Sequence, residues 1–293
     1  MYPNFEALKA RVLRGARRTI ALAAAADPHS LEAVRDAEAL LGVDYFLVGD
    51  AAKIAALAAQ IGFDIKSERV IPASTDEEAA ALAVALVREG RADVLMKGRL
   101  QTATLLKAVL HRETGIRGAG QLSHLCAMEC AAYPKLLFQT DGGINPHPNL
   151  AQKRAILENA LAFMHALGYK NPKVAVLAAV ETVSDKMPET QDAAALAAAN
   201  IPGCILEGPL SFDLAISSGA AAIKGVESAV SGDADLLLVP NVATGNIMTK
   251  ALLYLGGAKM AGCVLGAAAP IILVSRGASA EEKLYSIMMA LAG

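Results

Sequence analysis

The amino-acid sequence predicts an α/β fold: two α/β domains with mostly parallel sheets and helices on both faces. Three observations lead there. From about residue 19 to residue 110, short apolar runs alternate with helical patterns, strand then helix. That rhythm belongs to a parallel sheet covered on both faces. Around residues 111–121 it stops, where Gly115, Gly118 and Gly120 sit among Arg112, Glu113 and Arg117, and a crossing between domains is expected. Finally, residues 236–239 and 271–274 are short, branched and uncharged, which suits strands buried on both faces.

In chain order, Phe5, Leu8, Val12 and Leu13 recur at helical spacing and predict an amphipathic helix. Arg11, Arg14, Arg17 and Arg18 precede the apolar residues 20–26 and imitate a secretory signal. That run is short and ends in Asp27-Pro28, so it reads as a first strand, over 19–25, of a cytoplasmic protein. Asp27 caps the next helix, with Pro28 in its first turn. A strand at 45–48 ends in Gly49-Asp50 and leads to a helix over 51–60. A short strand follows at 69–71. Thr75-Asp76-Glu77-Glu78 reads as a capping box for a helix that stops near Gly90. The strand at 93–96 ends in Lys97-Gly98-Arg99, and Thr102 caps the helix after it.

Beyond the break, residues 123–129 and 135–140 read as strands without a helix between them, hence as an antiparallel pair. Residues 141–146 form a loop. A long helix opens near Asn149 and runs to Leu167, with Gly168 at its end. A strand at 174–178, a polar loop at 181–188, a helix with Pro188 in its first turn and a strand at 204–207 follow. Residues 208–213 then lead into another helix.

The strand at 236–239 runs into Asn241-Val242-Ala243-Thr244-Gly245-Asn246 and then a helical pattern. The strand at 271–274 runs into Ser275-Arg276-Gly277 and another helix. Strand, tight polar turn and helix together aim backbone N–H groups at an anion. Arg276 adds a fork of donors that matches a phosphate. The two turns are read as half of a site for phosphorylated ligands.

Composition narrows the function. The 293 residues are 54% hydrophobic and 19% charged, with a net charge of -2, so a sizeable core is available and neither nucleic acid nor an anionic membrane is indicated. Aromatics make up 4% and Trp is absent, which argues against base-stacking platforms. Mean hydropathy is +0.40, but the most apolar stretch, 260–275, contains Gly262, Gly266 and Pro270 and falls short of the ~20 residues a membrane span needs. Cys126, Cys130, Cys204 and Cys263 form no C-x-x-C pair and no zinc spacing; they read as small buried hydrophobes in a reducing compartment.

Several segments carry a family resemblance. They are Met96-Lys97-Gly98, residues 106–110 (LKAVL), Leu122-Ser123-His124, Asp141 with Asn145-Pro146, and Ser184-Asp185-Lys186-Met187-Pro188. Further segments are Glu207-Gly208-Pro209-Leu210, Pro240-Asn241 with Gly245-Asn246, Thr249-Lys250, Gly256-Gly257, Ser275-Arg276 and Leu284-Tyr285-Ser286-Ile287. In order and spacing they resemble the phosphate acetyl/butyryl transferases, closest to the butyryl branch, from about residue 17 to the end. The resemblance implies a fold like the isocitrate/isopropylmalate dehydrogenases, two α/β domains with a cleft between them. Residues 1–112 with 265–293 would form the first domain, and 113–264 a second, dimerising one.

The resemblance also implies a reaction: acyl-CoA plus phosphate gives acyl phosphate plus CoA, with a butyryl or another short or branched acyl group. CoA is a substrate, and no tightly bound cofactor or metal is expected. A cytoplasmic homodimer or larger homo-oligomer is implied. Arg276 and Ser275 become candidates for phosphate and carbonyl oxygen. Glu282 stands where acetyl-type members carry an Asp regarded as the thiol base. Residues 279–282 (SAEE), however, also read as a capping box, whose carboxylate is a poor base. Lys97 and Thr102 flank one strand-to-helix turn, and Thr244 and Asn246 lie in another; all four are candidate substrate contacts. Asp141, Asn145, Lys186 and Asp213 carry over from family-like loops. Where acetyl-type members have a helical Arg, Leu253 or Tyr254 stands here. Two other readings compete: an NAD-dependent dehydrogenase of the same fold, which lacks its Asp cluster and a G-x-G-x-x-G here, and a non-catalytic protein binding CoA or acyl phosphate.

Overall fold

The computed structural model describes every residue except Ala119 and Arg276. Along the chain run α1 (Phe5–Val12), β1 (Thr19–Ala23), α2 (Pro28–Leu41), β2 (Asp44–Gly49), α3 (Ala51–Gln60), β3 (Val70–Pro72), α4 (Asp76–Arg88), β4 (Val94–Lys97) and α5 (Thr102–Val109). There follow β5 (Ser123–Glu129), β6 (Leu137–Thr140), α6 (Leu150–Ala166), β7 (Lys173–Leu177), α7 (Pro188–Ala198), β8 (Ile205–Leu210), α8 (Phe212–Ile216), α9 (Ser218–Lys224), β9 (Leu236–Leu238) and α10 (Val242–Tyr254). The chain closes with β10 (Lys259–Leu265), β11 (Ile271–Ile272) and α11 (Ala280–Ala292).

The residues divide into two compact units. Phe5–Gly120 with Ala261–Ala292 form an N-terminal unit, and Met1–Asn4, Gln121–Met260 and Gly293 a middle unit. These splits stand beside the boundaries at 112/113 and 264/265 read from the sequence.

In the N-terminal unit the strand order is β3-β2-β1-β4-β11-β10. All neighbours are parallel except β10 and β11. The central strands β1 and β4 are buried on both faces, while β3 at the edge is partly exposed. The chain winds from β1 outward through β2 to β3, then returns to place β4 on the other side of β1. That reversal opens a crevice at the strands' carboxyl ends. Gly98 makes the crevice tight: a Cβ there would lie 2.3 Å from the Ala24 carbonyl oxygen, so only glycine lets the end of β4 abut the end of β1. β10 was not foreseen. Gly262 in its middle dilutes the strand signal.

The middle unit orders its strands β5-β6-β9-β7-β8. β5 and β6 pair antiparallel, as expected, and the other neighbours are parallel. Lys135 stands at the amino-terminal end of this sheet, buried, with its Nζ 2.6 Å from Asp235 and 2.7 Å from Asp233. Asp235 also accepts from the Lys173 backbone N–H, so one ion cluster ties the starts of β6, β7 and β9.

The capping predictions divide. Asp27 accepts from Ser30 N–H, and Asn149 with Gln152 forms a full capping box. Thr75 accepts from Glu78 N–H, but the Glu78 carboxylate reaches Ser74 N–H instead of Thr75. Thr102 is the first residue of α5 rather than its cap; Gln101 holds that position with no side-chain cap bond. α10 starts at Val242, so the polar turn after β9 is already helix, and Asn241 caps it. No helix among the described residues is long and apolar enough to cross a membrane.

Candidate active site

A pocket of about 330 Å³ lies at the crevice of the N-terminal unit, lined by Asp27, Pro28, Lys97, Gly98, Arg99, Val274, Ser275 and Lys283. The fold puts them together simply. Lys97-Gly98-Arg99 leaves β4, Ser275 follows the β11 strand, Asp27 opens α2, and Lys283 lies in the first turn of α11. Three cations face one carboxylate, a balance that favours a multiply charged anion.

Lys97 is buried, and its ammonium donates to the Gly98 and Leu100 carbonyls at 3.2 Å each. These bonds hold the strand-end turn as well as the charge. Arg99 is exposed, and its guanidinium has no acidic partner among the described residues. It also lines a neighbouring pocket of about 720 Å³ bounded by Gly49, Asp50 and Thr75. Lys283 is buried with its Nζ 2.7 Å from the Asp27 carboxylate. Burial pushes the Asp27 carboxyl up, but hydrogen bonds from Lys283 and Ser30 and the Lys283 charge outweigh it, so its pKa falls below the ordinary value.

Sequence reasoning missed Lys283 and Arg99 as site residues and took Asp27 as a cap alone. The signal for Lys283 was a lysine inside an otherwise apolar helical face, followed by Leu284, Ile287 and Leu291.

Ser275 is exposed at the rim, and its Oγ accepts weakly from Gly277 N–H at 3.4 Å. The Arg276 prediction lies outside the described residues. Glu282 forms the expected capping box: its carboxylate accepts from Ser279 N–H at 2.8 Å, and its own N–H donates to Ser279 Oγ at 3.1 Å. Those bonds direct the carboxylate at its own helix.

The remaining candidates belong to the middle unit. Asp141 is buried, and its carboxylate accepts from the N–H groups of Gly143, Ile144 and Asn145 and from Asn145 Nδ2. Asn145 is also buried; it donates to the Leu122 carbonyl and accepts from Gln121. Both were expected to bind substrate, yet their hydrogen-bonding capacity is turned inward to shape the 141–145 loop. Asn246 is exposed in the first turns of α10 and leans on the Gly142 carbonyl at 3.4 Å. Thr244 is exposed and donates to Asn241. Lys186 is exposed in the loop before α7. Asp213 pairs with Lys224 at 3.1 Å, and Lys224 also holds Glu181. Hydrogen bonds from Ser211 and then Lys224 lower the Asp213 pKa. Thus Lys97 and Ser275 share one pocket with the unforeseen Arg99, Lys283 and Asp27, while Asn246 and Thr244 share the start of α10 beside the 141–145 loop.

Comparison with known proteins decides the family. Residues 73–291 match the model described as "Phosphate acetyl/butaryl transferase". The chain belongs to this family. It is 41% identical over 294 residues to the phosphate butyryltransferase of Clostridium acetobutylicum, covering 99% of this chain and 98% of that one. It is 44% identical over 248 residues to the phosphate acetyltransferase of Rhizobium meliloti, covering 83% and 78%. Among solved structures, a branched-chain phosphotransacylase from Enterococcus faecalis V583 superposes with a TM-score of 0.83 at 32% identity, covering 94% of this chain and 98% of that one. The α/β fold with its mostly parallel strands is that of the transacylase family. The chain is an enzyme of the phosphate acyltransferase type, moving an acyl group between CoA and phosphate, and the dehydrogenase and binding-protein readings are not favoured.

Proposed function

We propose that the transferred group is butyryl or another short or branched acyl chain, and that the crevice pocket of the N-terminal unit holds the phosphate. The observation that carries the phosphate assignment is the gathering of Lys97, Arg99 and Lys283 beside Ser275 around a cavity of about 330 Å³. Phosphate, mostly dianionic at neutral pH, is held there while one of its oxygens attacks the thioester carbonyl. The C–S bond then breaks, and CoA leaves as the thiolate. Ser275 donates to an oxygen of phosphate or of the tetrahedral intermediate. Arg276, whose candidacy rests on sequence, supplies a two-pronged grip on the phosphate. Asn246, Thr244 and Lys186 contact the CoA-bearing substrate, and Glu282 serves its helix first. The chemistry asks for no metal and no tightly bound cofactor.

The butyryl assignment is supported by the near full-length match to a butyryltransferase and by the likeness to a branched-chain phosphotransacylase. Its test is a rate comparison of acetyl-, propionyl-, butyryl- and isobutyryl-CoA with phosphate, reading free CoA. The largest kcat/KM is expected for a four-carbon chain; a clear preference for acetyl-CoA would overturn it.

A cytoplasmic homodimer or larger homo-oligomer completes the reading. α10 supports it: among its 13 residues Gly245 alone is buried, while Ile247 is 68% and Tyr254 76% exposed, with Leu255 just beyond at 90%. Such an apolar face fits a second copy of the chain. Leu255→Glu is expected to lower the mass in analytical ultracentrifugation, and an unchanged mass would refute this surface.

A further inference from the structure

We propose that the pocket of about 720 Å³ beside the phosphate crevice is a site for a free ribonucleoside 5′-phosphate, an effector that competes with inorganic phosphate for Arg99. The site lies within the N-terminal unit, and only the competition rests on the phosphate assignment made above. Its floor is the carboxyl ends of β1, β2 and β3, reached at Ala24, Gly49 and Ala73. The strand order β3-β2-β1-β4 is that of a mononucleotide-binding half sheet. In such a sheet an acidic residue roughly 20 positions past the first strand-to-helix turn hydrogen-bonds the ribose. Asp50, directly after β2, holds that place. The turn after β1 has no G-x-G-x-x-G, so the grip on phosphate falls to Arg99.

The backbone at this sheet end is shaped for a ligand. Ala24 holds φ at 53°, a left-handed conformation uncommon for a residue with a Cβ, and such outliers gather at ligand sites. Its carbonyl accepts from Arg99 N–H at 2.9 Å, which fixes Arg99 on the border between the two pockets. Gly49 ends β2 at φ 150°, a conformation that side-chain-bearing residues rarely adopt, and turns the chain at once into Asp50. Alanine and glycine dominate the lining, which is what keeps the space open.

The rim sets the chemistry. Arg99 and Lys53 stand there with Asp50 and Asp76, so the lining carries no net charge, whereas the crevice has three cations to one carboxylate. Such a rim suits a ligand that is anionic at one end and hydroxyl-bearing at the other. Asp50 Oδ1 accepts from Lys53 N–H at 3.1 Å, and Oδ2 pairs with Lys53 Nζ at 2.9 Å. Each oxygen keeps a further lone pair, and the side chain is 42% exposed. Hydrogen bonds from Lys53 lower the Asp50 pKa, so an ionised carboxylate is ready to accept both O–H groups of a vicinal diol. Arg99 leaves β4, two strand spacings from β2 and therefore about 10 Å away. A ribose 5′-phosphate spans that gap with the reach of an arginine. Ala56 and Leu57 of α3 supply an apolar wall for the base.

The diol separates two sources of such a group. In CoA the ribose carries a 3′-phosphate, which removes the diol and would set a further anion against Asp50 and Asp76. A free nucleotide with unmodified 2′ and 3′ hydroxyls avoids both problems. With its 5′-phosphate on Arg99 it withdraws that guanidinium from the crevice, so inorganic phosphate binds less tightly while the transfer step is untouched. No bond is made or broken in the bound nucleotide.

The probe is AMP, titrated calorimetrically without phosphate into the wild type, Asp50→Asn and Ala56→Leu, with a thermal melt of each. The wild type should bind with a Kd below about 1 mM. Asparagine still caps α3 but loses the charge, so Asp50→Asn should weaken AMP about tenfold. Ala56 is exposed on α3, where leucine suits the helix and fills the pocket. Ala56→Leu should weaken AMP at least as much and leave acyl transfer without AMP unaltered. In the wild type AMP should raise phosphate KM at constant kcat, and CoA should not displace it. No heat from AMP, or equal affinity in all three proteins, would overturn the site. Displacement of AMP by CoA would overturn it too, giving the pocket to the substrate's own nucleotide. Bound AMP with an unmoved phosphate KM would overturn the effector role. If Arg99→Ala also keeps the wild-type phosphate KM, the phosphate assignment has failed instead, and the calorimetry still judges the nucleotide site.

Discussion

Each unit contains a buried lysine paired with an aspartate, and the two pairs sit at opposite ends of their sheets. Lys135–Asp235 lies where β6, β7 and β9 begin. Lys283–Asp27 lies where β1 and β4 end, on the wall of the phosphate pocket. Their local chemistry is nearly the same: ammonium and carboxylate at 2.6 and 2.7 Å, both lysines buried. Position separates them. Carboxyl ends of parallel strands present loops and helix N-termini to ligands, while amino-terminal ends are closed off. The comparison teaches that burial of an ion pair does not mark a site; its place on the sheet does.

Substitution separates the two roles. Lys135→Met leaves the buried Asp235 without its ammonium partner and should cost about 3–5 kcal/mol of stability, seen in denaturant melts. Its phosphate KM should stay at the wild-type value at temperatures where it remains folded. Lys283→Met should destabilise through the same physics and also raise phosphate KM. Equal kinetic effects from both, or none from Lys283→Met, would break the comparison.

The pH dependence of the Lys283 pair follows from Asp27. Its folded pKa is depressed, so the stability it contributes is present above the unfolded carboxylate value of about 4. That stability is lost as pH falls through the folded pKa. The deficit of Lys283→Met relative to wild type should therefore be full at pH 6 and shrink toward pH 2–3. A deficit constant over pH 2–6 would mean that the lysine acts by packing alone.

The smallest effect belongs to Glu282→Gln. Glutamine can still accept from Ser279 N–H, so stability should change by within ~1 kcal/mol, with a turnover loss under tenfold. A fall of several hundredfold in turnover with an unchanged melt would make Glu282 the thiol base.

Much of this architecture was legible in the sequence because it follows from local patterns. The strand–helix alternation, the antiparallel step from β5 to β6 and the caps at Asp27, Asn149 and Ser279 depend on residues a few positions apart. What was not legible depends on distance. Lys283 meets Asp27 across 256 positions; its place on an apolar helical face marks it as buried, but nothing local names its partner. Asp141 and Asn145 show the reverse: D-x-x-x-N reads equally as a pair of ligand contacts or as a loop that binds itself, and only the hydrogen bonds separate the two. β10 escaped because Gly262 dilutes its strand pattern.

The central claim, that phosphate is held at the crevice pocket, is tested most directly by Arg99→Ala. Its guanidinium borders the pocket without an acidic partner among the described residues, so its removal should leave the fold intact. Steady-state CoA release from butyryl-CoA, with phosphate and acyl-CoA varied in turn, gives the two KM values. Loss of a charged donor predicts a phosphate KM raised roughly ten- to a hundredfold, a smaller change for butyryl-CoA and an unchanged melt. A wild-type phosphate KM in Arg99→Ala would contradict the assignment.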